Sequence, residues 1–322
     1  MDHPAPSQLA NVDSLENLYP MLDGLHINPG WHKPEPSLWG EPRKTFRPYH
    51  WRYTQAKAAI DAAGRLIDTK LAERRNLILF NPFPGNTYAT ARTIITAYQM
   101  VMPGEVARSH RHVANALRFV LDAEPGMYTV VEGQKLEMLP GDVLLTPNWC
   151  WHGHLSESKA PAYWLDFLDV PLVHLLEPMF FEPHPQEYEP IKGVARGSPM
   201  VFPWRESEAR LAAAPDTPQF GHQIEFGHNG QPALDSLALH MMRLPKGRTT
   251  ATLQTTANNV YAVFRGRGTS IVDGERFEWN RGDVFVAPCW RPHHHVVHDD
   301  AVLFRVTDTP LLERLRYLRT SA

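Results

Sequence analysis

Two short clusters, His110-Arg111-His112 and Trp151-His152-Gly153-His154, bring four imidazoles into one stretch of chain. In a β-strand successive side chains alternate faces, so His110 and His112 project together and Arg111 projects away. Two imidazoles on one face chelate one ion, and a third carried in by a returning hairpin completes a three-histidine site. The spacing therefore predicts a metal held by His110, His112 and His152. His154, on the same face as His152, is the alternative third ligand and otherwise a group beside the metal. With 17 histidines in the chain, ordinary core or surface histidines are the competing reading. A lone His-x-His hardly outweighs that reading, but two clusters joined by hairpins do.

Strand-like runs at 115–121, 128–132 and 143–146, separated by Gly133 and Gly141-Asp142, supply those hairpins. The pattern occurs twice. Val130-Val131-Glu132-Gly133, Gly141-Asp142, Pro147, Trp149 and His152 recur in constant register as Ile271-Val272-Asp273-Gly274, Gly282-Asp283, Pro288, Trp290 and His293, with Gly104 and Gly247 extending the match upstream. This is a tandem duplication of one β-rich unit. In the second copy Leu253 and Thr255 stand where His110 and His112 stand in the first, so that copy is expected to hold no metal. The run His293-His294-His295 is expected to be structural.

At 322 residues and 43% hydrophobic, the chain can fill two such units and their connections. A formal charge of -3 and the absence of a basic run give no reason to expect nucleic acid or a membrane surface. No leader-like segment is evident, so a cytoplasmic location is expected, with Cys150 and Cys289 as free thiols. Residues 1–53, rich in proline and carrying Trp31, Trp39, Trp51 and the run Pro34-Glu35-Pro36, suggest an extended arm that docks on the barrels or on a neighbouring subunit. A helix is expected over 54–73, with Ile60, Ala63, Ile67 and Leu71 on one stripe and Thr54 as cap, followed by a strand over 76–80. The expected organisation is an N-terminal arm and helix (1–80), a metal-binding unit (81–177), a surface connection (178–235) with at most short helices such as 206–213, and a metal-free unit (236–322).

Several local patterns occur together: Glu73-Arg74-Arg75, Asn81-Pro82, Gln99, Pro103-Gly104-Glu105, His110-Arg111-His112, Asn115-Ala116-Leu117-Arg118-Phe119, Pro147-x-Trp149-x-Trp151-His152-Gly153-His154 and Trp164-Leu165-Asp166-x-Leu168-Asp169-x-Pro171. In this combination the chain resembles the bicupins of the gentisate 1,2-dioxygenase group, whose relatives act on salicylate, 1-hydroxy-2-naphthoate and substituted salicylates such as 5-nitrosalicylate. The resemblance implies an all-β dominated fold of two tandem double-stranded β-helix (jelly-roll) barrels with an N-terminal arm and short helices. It also implies one Fe(II) per chain and a homodimer or homotetramer. The activity implied is an extradiol-type ring-cleaving dioxygenase that opens an ortho-hydroxybenzoate between its carboxyl-bearing and hydroxyl-bearing carbons and incorporates both atoms of O2. Many cupins carry a glutamate shortly after the second histidine; Ala116 and Leu117 stand there instead, which matches the all-histidine site of this group.

The same resemblance assigns roles to neighbouring residues. Arg74 resembles the clamp for the substrate carboxylate, with Arg75 as the alternative; a guanidinium fork fits two carboxylate oxygens. Arg118 would carry a charge into the barrel, where it needs an anion, either bound substrate or Asp166 or Asp169. His154 resembles a hydrogen-bonding group beside the metal, Asp166 an orienting carboxylate for an active-site histidine, and Gln99 a substrate-side amide. Relatives usually have an aromatic residue where this chain has Ile95. Ile95 and Asn76 together imply room and an amide for a polar substituent at the 5-position of the ring, as in 5-nitrosalicylate or gentisate, unless they merely repack the pocket. Two other classes stay open on the residues alone: a metal cupin doing non-oxidative isomerisation or hydrolysis, and a non-catalytic cupin that binds an aromatic acid.

Overall fold

Period-two alternation produces strands throughout the duplicated region of the computed structural model, which describes residues 3–33, 35–195 and 197–321; Pro34 of the proline run lies outside them. Two units are distinguished, residues 1–43 and residues 44–322. In the first, the expected extended arm is instead partly helical, with α1 at Pro6–Ala10 and α2 at Leu15–Gly24. The sequence supports this locally, because Ser14 caps α2 by accepting the Asn17 amide at 3.2 Å.

The second unit begins by docking. β1 (Tyr49–Trp51) pairs with the strand Val284–Ala287 of the second repeat. α3 follows at Tyr53–Leu66, shorter than the 54–73 expected, and Arg52 rather than Thr54 occupies its cap position. It stops because Ile67 turns extended and the Asp68 carboxylate accepts the amides of Lys70 and Leu71, making a turn that leaves Leu71 exposed.

The first barrel is built from β2 (Arg75–Ile78), β3 (Ile95–Val101), β4 (Val106–His112), β5 (Ala116–Asp122), β6 (Met127–Val131), β7 (Gln134–Glu137), β8 (Val143–Thr146), β9 (His152–Ser156) and β10 (Ala162–Leu168). One sheet runs β8-β5-β10-β3-β2 and the other β11-β4-β9-β6-β7, where β11 is Phe181–Pro183. The second repeat copies this order: Val284–Ala287, Asn259–Arg265, Ala301–Thr307, Ala238–Leu244 and Gly221–His228 in one sheet, and Glu275–Trp279, Gly268–Val272 and His293–Val297 in the other. Two expected boundaries therefore cut through sheets. β2 lies before residue 81 yet pairs with β3, and Gly221–His228, inside the supposed connection, pairs with Ala238–Leu244. The helix expected within that connection runs from Trp204 to Ala213.

Side chains divide by parity. In β3, β5, β8 and β10 one face, including Tyr98, Phe119, Leu145 and Phe167, joins Phe226, Met241, Val260, Phe264 and Phe304 of the second repeat in one shared core. Phe119 and Phe304 stack across it with ring centroids 4.5 Å apart. The opposite face lines the interior of the first barrel, with Val101, Val120, Leu144 and Trp164 at its apolar end.

The repeated Gly-Asp turn has a structural use. Asp283 accepts the backbone amide of Tyr53 at 2.7 Å, and Asp142 accepts that of Trp204, also at 2.7 Å. The strand Val201–Phe202, just before Trp204, adds to β8, as β1 adds to the equivalent strand of the second repeat. Each half of the chain thus lends an edge strand to the other's barrel. Gly141 and Gly282 have φ of +89° and +85°, and a Cβ there would meet Trp204 and Tyr53 at 2.8 and 2.2 Å, so both positions require glycine. No helix among the described residues is long and apolar enough to cross a membrane. Cys150 and Cys289 are free thiols.

Candidate metal centre and its pocket

His110 and His112 leave β4 on its inner face, and His152 opens β9 directly across from His110. Their ligating nitrogens lie within 4.8 Å of one another. The surroundings fix which nitrogens are free. His112 Nδ1 is 2.8 Å from the Ala114 carbonyl oxygen and His152 Nδ1 is 3.0 Å from that of Cys150. Those acceptors hold the proton on Nδ1 and leave Nε2 for a metal. Burial, reinforced by His110, pushes His112 down to about 4, and burial pushes His152 well below its ordinary value, so both stay neutral and ready to ligate. The third acceptor was not foreseen: Glu73 Oε2 lies 3.4 Å from His110 Nδ1. Interaction with His110 lowers the Glu73 carboxyl despite its partial burial, with Arg74 and Arg108 adding to the effect. Three converging imidazoles, two of them neutral with Nδ1 held by a backbone carbonyl and the third beside the Glu73 carboxylate, fit a divalent transition metal.

Arg74 and Arg75 part company at the start of β2. Arg75 is buried, ion-paired to Glu105, and donates to the Ile67 carbonyl at 2.6 Å, so it braces the chain outside the pocket. Arg74 turns to the pocket side and donates to Gln99 Oε1 at 3.1 Å. Asn76 sits opposite Gln99 in the β2–β3 register, on the same face but exposed at the rim. Ile95 is buried two steps along β3 from Ala97, on the Gln99 face.

Arg118, 1% exposed, lies cross-strand from Asp166, with Nε 3.7 Å from the carboxylate. Its guanidinium also donates to Thr146, and burial pushes it down to about 10. Asp169 is occupied elsewhere: it accepts the Asn115 backbone and side-chain amides and the Ser236 hydroxyl, tying β5 to the second repeat. Asp166 does not orient a histidine as expected; it takes the Trp164 indole N–H at 2.7 Å and faces Arg118, because its register on β10 places it among β3 and β5 rather than the histidine strands. His154 lies on β9 with both ring nitrogens buried and unpartnered, its ring 4.8 Å from that of Trp164. Burial, then Arg118, drives it far below its ordinary value, so it is neutral.

Beyond Glu73, sequence reading missed Thr146, Trp164 and Phe181. Phe181 comes from β11, which pairs with β4 at His112 and puts a ring 5.2 Å from His110. The Phe180-Phe181 pair inside a supposed connection was the available signal. In the second barrel His293 Nε2 is 2.8 Å from the Tyr261 hydroxyl and His295 Nδ1 is 2.8 Å from that of Ser270, and the three-histidine cluster in the first barrel has no counterpart there among the described residues.

The cupin-domain family profile matches residues 97–168 and 240–309, one match per barrel. A 5-aminosalicylate 1,2-dioxygenase of a Comamonas species is 36% identical, the alignment covering 94% of this chain and 90% of that protein. A gentisate 1,2-dioxygenase of Aquipseudomonas alcaligenes is 31% identical, with 95% and 96% covered. The crystal structure of salicylate 1,2-dioxygenase from Pseudaminobacter salicylatoxidans superposes with a TM-score of 0.88 at 29% identity, covering 95% of this chain and 97% of that one. Identity of this extent over both barrels, together with the three-histidine cluster confined to the first, makes the chain a member of the gentisate 1,2-dioxygenase family of ring-cleaving bicupins.

Proposed function

We propose that this protein is an Fe(II)-dependent dioxygenase that opens a salicylate bearing a polar 5-substituent, such as an amino, nitro or hydroxyl group, between the carboxyl-bearing and hydroxyl-bearing carbons. The observation that carries this reading is the placement of Arg74 and Gln99 as a hydrogen-bonded pair on one wall of the barrel whose other wall carries the three histidines. A relative named for 5-aminosalicylate supports the substituent. Iron held by His110, His112 and His152 would supply redox chemistry with dioxygen and a positive charge for the ortho oxygens of the substrate. Arg74 orients the carboxylate through its fork, with Gln99 steadying the guanidinium. Arg118 contributes fixed positive charge, and neutral His154, with two unpartnered nitrogens, is available to give or accept a hydrogen bond at the ring oxygen or at dioxygen. Ile95 leaves room beside the ring, and Asn76 offers its amide at the rim.

Oxygen uptake with a panel of acids tests this. Ortho-hydroxybenzoates should be consumed, and phenol and 4-hydroxybenzoate should not, because chelation needs the adjacent pair. Arg74→Lys keeps the charge but loses the fork, and should weaken kcat/KM by about 1–3 kcal/mol. Asn76→Ala should penalise a 5-substituted salicylate and spare salicylate itself; equal losses on both would remove Asn76 from the substrate. Turnover of no ortho-hydroxybenzoate by iron-loaded protein would refute the proposal as a whole.

The protein is further proposed to be a dimer or tetramer whose neighbour contacts come from residues 18–43, since 44–51 dock on their own chain. Trp31 at 71% and Leu38 at 88% exposure support a partner there. Light scattering should give at least twice the chain mass; a stable, active monomer would contradict it.

A further inference from the structure

The interior of the second barrel combines an apolar cluster, including Met242, Val263, Phe285 and Leu303, with a buried polar group at Arg305. Arg305 stands on the strand Ala301–Thr307, cross-strand from His240 on one side and Tyr261 on the other. It is only 6% exposed, yet no carboxylate among the described residues forms an ion pair with it. Its Nη1 donates to Asn259 Oδ1 at 3.0 Å, Phe220 lies over the guanidinium at 4.5 Å, and its Nε has no partner. His240 Nδ1 is also buried and unpartnered, on the adjacent strand Ala238–Leu244. Glu225, opposite His240, is the carboxylate on that face; it is exposed and beyond ion-pair distance, and burial raises its pKa while Arg305 acts to lower it.

The contrast with the first barrel is instructive. There Arg118 is matched by Asp166 directly across the strand pair. In the second barrel the arginine occupies the register position of Trp164, and the position equivalent to Asp166 is Thr307. A buried guanidinium whose counter-charge, Glu225, is exposed and beyond ion-pair distance is costly, and the orphan nitrogens of Arg305 and His240 on adjacent strands call for a polar occupant. A cation is repelled by Arg305. We infer that the second barrel is an anion site that takes a small monocarboxylate, held by the Arg305 guanidinium, with the His240 imidazole as its other partner and Phe220 partly exposed beside it.

Benzoate is a suitable probe, because it carries the carboxylate without the ortho hydroxyl. Anaerobic titration calorimetry of the iron-loaded wild-type protein should give two benzoate sites per chain. Arg305→Met should leave one. Arg305→Lys, which keeps the charge and is the fallback if the methionine variant does not fold, should weaken one site at least tenfold and leave the other unchanged. Wild-type benzoate binding, at one site or two, that loses no site on Arg305→Met and is not weakened by Arg305→Lys would mean that water fills the second barrel and would overturn the inference. Oxygen uptake on hydroxybenzoates is read separately, so absent turnover with two benzoate sites would sink the proposed dioxygenase activity and leave this inference standing.

Discussion

Alanine in place of His110, His112 or His152 is expected to strip the metal and abolish turnover, whereas His293→Ala should leave metal content unchanged. Each of the three rings supplies one nitrogen, and no described residue stands by to replace it. His293 already gives its Nε2 to the Tyr261 hydroxyl contact, so its loss is felt in stability alone. Elemental analysis of the purified protein should give about one iron per chain. Full activity in any of the first three variants, or two irons in the wild type, would contradict the assignment. Glu73→Gln should weaken metal retention by about 10–100-fold, the usual scale for an outer partner of a ligating histidine. Proton competition at His112 should set in only near pH 4, since its neutral form is favoured down to about that value, so protonation of this ring should not release the metal as pH falls through 6.5.

Arg118→Met should be the most destabilising substitution in the pocket and should also abolish turnover. It leaves Asp166, 2% exposed, facing a vacated position with only the Trp164 indole as donor. Breaking one half of a buried pair costs about 3–5 kcal/mol, readable as a shift in the denaturant midpoint. The double variant Arg118→Met with Asp166→Asn removes the uncompensated charge and should recover much of the stability, because replacing both members of such a pair is often close to neutral. Turnover should not return with it. Recovery of activity alongside stability would reduce Arg118 to a structural residue and leave Arg74 as the sole carboxylate partner.

The metal strands were legible because period two, two histidine clusters and a repeated turn all pointed one way. Glu132-Gly133 and Asp273-Gly274 carry positive φ in both copies, as do Trp149 and Trp290, so the repeat seen in residue types is also a repeat in backbone conformation. What escaped was long-range. Nothing local in Glu73 says that it will reach His110, because β2 and β4 lie in different sheets. Arg74 and Arg75 are indistinguishable by type; only the β2 register sends one to Gln99 and the other to Glu105. The helix ended early because the Asp68 turn competed with its apolar stripe. The segment 178–235 read as a connection because all its strands but Gly221–His228 are only two or three residues long, and Phe181–Pro183, Gly193–Val194 and Val201–Phe202 pair with strands far back in the first barrel.

The edge strands exchanged between the two halves bear on why a second barrel without the metal cluster accompanies the first. β1 closes the sheet of the second repeat and Val201–Phe202 closes that of the first, each followed by a helix whose first amide is clasped by the other half's aspartate. Performed between two separate copies of one unit, the same exchange would be a domain-swapped homodimer with a twofold axis. The chain has the topology of that dimer in one covalent molecule, with the three-histidine cluster in the first barrel alone among the described residues. Severing it between the repeats would therefore release not two barrels but two open-edged sheets, each missing the strand that its twin was carrying.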